Sequence, residues 1–125
     1  MSAEADQLDR EAQQLDREAQ QLEETAGVVE RKGQELLTEA TLLQQRFRSA
    51  VDVTRAGPQA TRFETHNEAR VGRMRHNEDI FRAVARRMRD AARRARDEAR
   101  QKRDRAGQLR REEEQRNREA AARRH

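Results

Sequence analysis

Seven consecutive heptads set the terms on which this chain can fold. Leu8, Leu15, Leu22, Val29, Leu36, Leu43 and Ala50 recur at every seventh position, and Ala5, Ala12, Ala19, Ala26, Gly33, Ala40, Phe47 and Thr54 recur beside them. Apolar spacing that alternates four and three over such a length marks a helix that packs along one face against another helix. The opening is a near repeat, QLDREAQ, QLDREAQ and QLEETAG, starting at residues 7, 14 and 21. The two rows differ in size: one is mostly leucine, the other almost all alanine or glycine until Phe47. Small residues let a neighbouring backbone approach but bury little area, so one leucine per heptad stabilises a lone helix weakly. From Leu36 the stripe widens to take in Leu37, Val51 and Val53, which places the packed end of the helix next to the proline.

That proline, Pro58, is the only one among 125 residues, and it follows Gly57. Glycine suits the end of a helix, and proline cannot continue a helix but can open the next. Thr61 followed by Glu64 offers a capping box as an alternative start. The expected organisation is a first helix over residues 1–56, a turn at 57–62, a second helix at 63–113 and a fraying basic tail at 114–125. A kinked continuous helix is the competing architecture.

The second half carries its own stripe, Val71, Met74, Phe81, Ala85, Met88, Ala92, Ala95, Ala99, Ala106 and Leu109, interrupted by Asn67, Glu78 and Lys102. Folding the chain back at residue 57 sets Leu43 opposite Val71, Ala40 opposite Met74, Gly33 opposite Phe81 and Ala26 opposite Met88. Large side chains then meet small ones repeatedly, as interdigitating helices require. Charge agrees with that pairing. Residues 1–56 hold twelve acids and seven bases, a net −5, whereas residues 57–125 hold twelve acids and 21 bases, a net +9. Asp9, Glu11, Asp16, Glu18, Glu23 and Glu30 flank the first stripe. The expected fold is therefore all-α, a long antiparallel helix-turn-helix hairpin of coiled-coil type. A lone hairpin leaves part of its stripe wet, so pairing into a four-helix bundle is expected too. The association seam would comprise Leu22, Val29, Leu36, Leu43, Phe47, Val71, Met74, Phe81 and Met88.

Composition narrows the functional classes. Charged residues make up 42% of the chain, the only aromatics are three phenylalanines, and there is no cysteine. Neither a disulfide framework nor a thiolate metal site is possible. No apolar run approaches the roughly 20 residues of a membrane span, and the acidic opening MSAEADQLDR gives no expectation of a conventional signal peptide. A cytoplasmic location is the default, with export requiring a route that recognises a folded shape or a partner. Serine occurs only at positions 2 and 49, without a histidine–acid partner at recognisable spacing, and no glycine-rich phosphate loop is present. The echo His66-Asn67-Glu68 and His76-Asn77-Glu78 puts its histidines about 15 Å apart on one helix, too far to share an ion. No enzyme, cofactor or metal is expected.

The turn, RAGPQATRF, resembles that of the Trp-X-Gly hairpin proteins, the ESAT-like substrates of type VII secretion. Gly57, Pro58, Ala60 and Phe63 match the family pattern W-x-G-P-x-A-x-x-F, and Arg55 stands where the tryptophan would be. The resemblance implies a two-helix hairpin that works by pairing with itself, another hairpin or a secreted effector, and that leaves the cell without a cleaved signal. The chain lacks tyrosine, so the family's Tyr-x-x-x-Asp/Glu export signal would have to come from a partner. The competing reading is a cytoplasmic coiled coil that binds nucleic acid non-specifically through Arg86, Arg87, Arg93, Arg94 and Arg103. Acids interleave that arginine run, and no aromatic lies within it to stack on bases.

Overall fold

The computed structural model describes residues 2–54 and 57–124, with the side chains of 51–54 and 58–60 outside that description. It consists of two helices packed against each other in a hairpin, α1 (Ala3–Thr54) and α2 (Pro58–Arg123). Ser2 caps α1: its hydroxyl accepts the amide of Ala5 at 3.1 Å and its carbonyl accepts that of Asp6. Glu4 and Asp6 then place negative charge at the positive end of the helix.

The second helix starts at Pro58, the first of the two starts read from sequence, and so ahead of the boundary drawn at residue 63. The carbonyl of Gly57 accepts the amide of Thr61 at 3.2 Å, so Gly57 is the cap and Pro58 the first helical residue. A proline suits that position, because its missing amide would be unpaired there anyway. Residues 58–62, assigned to the turn from sequence, thus belong to α2, and Thr61 lies inside the helix rather than capping it. Gly57 does not adopt left-handed backbone, so it serves as the start of α2 and not as a left-handed end to α1. At the other end, residues 114–123, expected to fray, continue the helix. An Arg118–Glu114 pair at 2.6 Å, one turn apart, adds local support there.

The chain divides into two compact units, one built from residues 1–24 and 88–125 and the other from 25–87. In the first, Ala5, Ala12 and Ala19 of α1 and Ala92, Ala99 and Ala106 of α2 are fully buried. In the second, the buried positions are Ala26, Gly33 and Ala40 of α1 with Val71, Glu78 and Ala85 of α2. Each helix therefore buries one row of every seventh residue, alanine at five of six positions on α1 and at four of six on α2. The large residues three positions later, Leu8, Leu15, Leu22, Val29, Leu36 and Leu43 on α1 and Met74, Phe81, Met88 and Leu109 on α2, are only half-buried. Among the described residues no large side chain is fully buried.

The register is the one expected from folding at residue 57. A Cβ placed on Gly33 would lie 3.3 Å from the Cβ of Phe81 and 3.7 Å from Cγ of Glu78. Glycine suits this layer because a Cβ here would press on Phe81 by a few tenths of an ångström. Of the residues that widen the α1 stripe toward the proline, the side chains of Val51 and Val53 lie outside the described residues. Leu37 and Leu42 are exposed, because a single partner helix can cover only the small-residue row and part of its neighbour.

Candidate functional site

Residues one to two turns apart on a helix reveal two unlike edges of the hairpin. A residue four positions after a buried one turns about 40° to one side of it, whereas a residue three positions after turns about 60° to the other. The first direction carries charge. On α2 it holds arginine at every seventh residue, Arg75, Arg82, Arg89, Arg96, Arg103 and Arg110, and on α1 it holds Asp9, Asp16, Glu23 and Glu30, then Leu37 and Gln44. The second direction carries the leucine row of α1 and the Met74–Phe81–Met88 row of α2.

In the unit formed by both chain ends, the charged rows meet rung by rung. Arg96 Nη1 lies 2.8 Å from Glu23 Oε1, Arg103 pairs with Asp16, and Arg110 reaches both Asp6 at 2.9 Å and Asp9 at 2.6 Å. The hydrogen bonds that Arg110 donates to Asp9 and then to Asp6 raise the pKa of its guanidinium. The other edge of this unit has a further pair: Lys102 Nζ donates to Glu11 Oε2 at 2.9 Å. That bond pushes the Glu11 carboxyl below the usual carboxylate range and the Lys102 ammonium above its ordinary value. Lys102, an interruption of the apolar stripe in the sequence, thus sits half-buried beside a carboxylate supplied by α1.

The unit of residues 25–87 is organised differently. Its acids run out on the charged edge, and the arginines find other partners. Arg75 donates to Oε1 of Gln44. At Leu37 the α1 row has no acceptor, and Arg82 turns back along its own helix to Glu78. Glu78 is only 5% exposed and occupies the buried row itself. A carboxylate in such a place needs this partner, since an unpaired buried charge is costly.

The same unit holds every exposed large apolar residue among those described: Val28, Leu37, Leu42, Phe63 and Ile80. Apart from Leu37 and Phe63, these extend the apolar edge outward. Val28 and Leu42 are 47% and 44% exposed on α1, one residue before Val29 and Leu43. Ile80 is 45% exposed on α2, beside Phe81 and the half-buried Val84. Phe63, 60% exposed, stacks on Phe47 with ring centroids 5.5 Å apart.

Of the association seam read from sequence, only Val71 is buried inside the hairpin. Leu22, Val29, Leu36, Leu43, Phe47, Met74, Phe81 and Met88 are half-buried and keep a surface outward. Of the turn motif, Gly57 is exposed and Phe63 is placed against Phe47. Arg55 lies outside the described residues, as do the side chains of Pro58 and Ala60. Arg86, Arg87, Arg93 and Arg94 are exposed on the outer face of α2, while Arg103 is held by Asp16. Asp90, Asp97 and Asp104 lie at seven-residue intervals on that outer face, and Asp90 pairs with Arg93 at 3.2 Å. His66 and His76 are both exposed, and no metal-holding group of three or more histidines, cysteines or acids occurs among the described residues. Nor does any described helix have the length and apolarity to cross a membrane.

The row of six arginines at seven-residue spacing and the outward Val28, Leu42 and Ile80 escaped the sequence reading. The first was legible in principle, because it follows the buried row at a fixed offset of four. Comparison with known proteins returns no matching family model, no matching curated protein and no matching solved structure.

Proposed function

We propose that this chain is a non-enzymatic helix-pairing protein that lays the apolar edge of residues 25–87 against another helical hairpin. One observation carries the reading: Val28, Leu42 and Ile80 stand open beside the half-buried Val29, Leu36, Leu43, Met74 and Phe81. Exposed large apolar residues gathered on one edge mark association surfaces. The interior seam of this unit is mostly small residues, Ala26, Gly33, Ala40 and Ala85, so more apolar area is left for a partner than a leucine-filled seam would leave. A third and fourth helix on this edge would complete the bundle.

The turn supplies the setting. Gly57, Pro58, Ala60 and Phe63, in RAGPQATRF, support a role as a type VII secretion substrate or as a co-secreted partner of one, with the partner contributing the missing tyrosine signal. Nucleic-acid binding by α2 has less support, because Arg103 is engaged by Asp16 and Arg93 by Asp90. The test is to follow the tagged chain in its host with and without the secretion ATPase. ATPase-dependent appearance in the medium, abolished by Leu36→Asp on the apolar edge, is the expected result. Retention inside the cell in both strains, with nucleic acid recovered on the tag, would overturn it.

A further inference from the structure

The occupant of the apolar edge follows from the way that edge is patterned. Its features on α1 are arranged symmetrically about residues 35 and 36. Val28 and Val29 lie about seven residues before that point, and Leu42 and Leu43 lie about seven after it. Between them, flanking Leu36 on the same edge, are Lys32 and Glu39, both exposed and opposite in sign. A sequence patterned in this way complements its own reverse. Turning a second copy around a two-fold axis at Leu36 sets apolar pair against apolar pair and each Lys32 against the other chain's Glu39.

We propose that the partner on this edge is a second copy of the same chain, docked antiparallel about a two-fold axis at Leu36, with Lys32 of each copy paired to Glu39 of the other. This rests on the reading of the edge as a docking surface and names what docks there. A closed two-fold dimer uses one patch twice, which demands self-complementarity of this kind. Met74, Phe81, Val84 and Ile80 of α2 widen the contact on the same edge. Lys32 is free to change partners, since its present ion pair, with Glu35 one turn along, spans 3.5 Å between two well-exposed side chains. Such surface pairs are held weakly. The unit at the chain ends offers no equal: its leucine row is flanked by Glu4, Glu11 and Glu18 on α1, and two copies meeting there would set acid against acid.

The experiment uses the full chain in sedimentation equilibrium, with Lys32→Glu and Glu39→Lys variants alone and mixed. Both substitutions are exposed, and circular dichroism checks that helix content is unchanged. The wild type should dimerise. Each variant alone sets like charges together twice and should weaken dimerisation by about tenfold or more. An equimolar mixture of the two variants restores both opposite-charge pairs and should form a heterodimer with wild-type affinity. Leu36→Glu, on the axis, should leave monomers. A wild type that stays monomeric yet binds a different hairpin through Leu36 would overturn self-pairing and leave the proposed function standing. A dimer indifferent to all three substitutions would also overturn it, by placing the interface elsewhere. A monomer that binds no hairpin at all would remove both proposals.

Discussion

Two glycines in the same helix, six residues apart, isolate the closeness of the seam. Gly27 and Gly33 both lie inside α1, and neither adopts left-handed backbone, so leucine at either position recovers about 0.8–1 kcal/mol of helix propensity. Their surroundings differ. Around Gly27 an added Cβ meets nothing within 4 Å, whereas at Gly33 it arrives 3.3 Å from the Cβ of Phe81. Comfortable carbon–carbon contact begins at about 3.5 Å. Both atoms at Gly33 are fixed to backbone, so relief requires the helices to separate locally, and the rest of the leucine side chain must then be housed as well. Overpacking of this kind costs about 1–3 kcal/mol. Gly27→Leu should therefore stabilise the hairpin by nearly 1 kcal/mol, and Gly33→Leu should cancel that gain or lose up to about 2 kcal/mol. Thermal unfolding followed by circular dichroism would read this as midpoints separated by several degrees, at about 4 °C per kcal/mol. Equal midpoints for the two variants would refute the close approach of Phe81 to α1.

Three further predictions follow from the charges. The Glu11 carboxyl is depressed by Lys102, so its contribution to stability is present above the ordinary carboxylate pKa and is lost as pH falls through the lower folded value. Lys102 is raised, so its contribution holds below the ordinary lysine pKa and is lost as pH climbs through the higher folded value. Lys102→Met should remove the alkaline loss and raise Glu11 toward the usual carboxylate range in a proton NMR titration, with the hydrogen bond from Gln7 still holding part of the depression. Replacing Glu78 by alanine continues the small-residue row and should leave stability equal or improved by about 1–2 kcal/mol, while Arg82→Ala strands a buried carboxylate and should cost about 1–2 kcal/mol in urea unfolding. Finally, the triple variant Asp90→Asn, Asp97→Asn, Asp104→Asn strips the acids from the outer face of α2. It should shift duplex DNA in a salt-sensitive way at concentrations where the wild type shows no shift.

The sequence made the hairpin legible because two independent patterns agreed: heptad spacing on each arm and opposite net charge between the arms. Gly33 opposite Phe81 is an arithmetical consequence of the turn, and the two residues meet in the structure. What the spacing did not disclose is which of two neighbouring rows would be buried. Size suggests leucine as the interior, yet the alanine row closes and the leucine row is left half-open. Two helices alone cannot surround a leucine, whereas they can shut around a methyl group. The same reason explains why Leu37, which widens the stripe in sequence, and Leu42 are exposed. Of the two starts read from sequence, α2 takes Pro58 and not Thr61, because proline needs no partner for a missing amide at the first helical position. Glu78 reads as an interruption of the stripe in sequence, and only the turn-back of Arg82 shows how its charge is accommodated.

The chain has no cysteine, so a single introduced pair reports on the fold directly. Gly33→Cys with Phe81→Cys would place two sulfur-bearing Cβ atoms close to the separation a disulfide requires. Mild oxidation of the dilute protein should close this pair within one chain, while Gly33→Cys with Met74→Cys, one heptad away, should remain reduced. Closure of the shifted pair instead, or cross-links that form only between chains, would contradict an antiparallel hairpin held in this register.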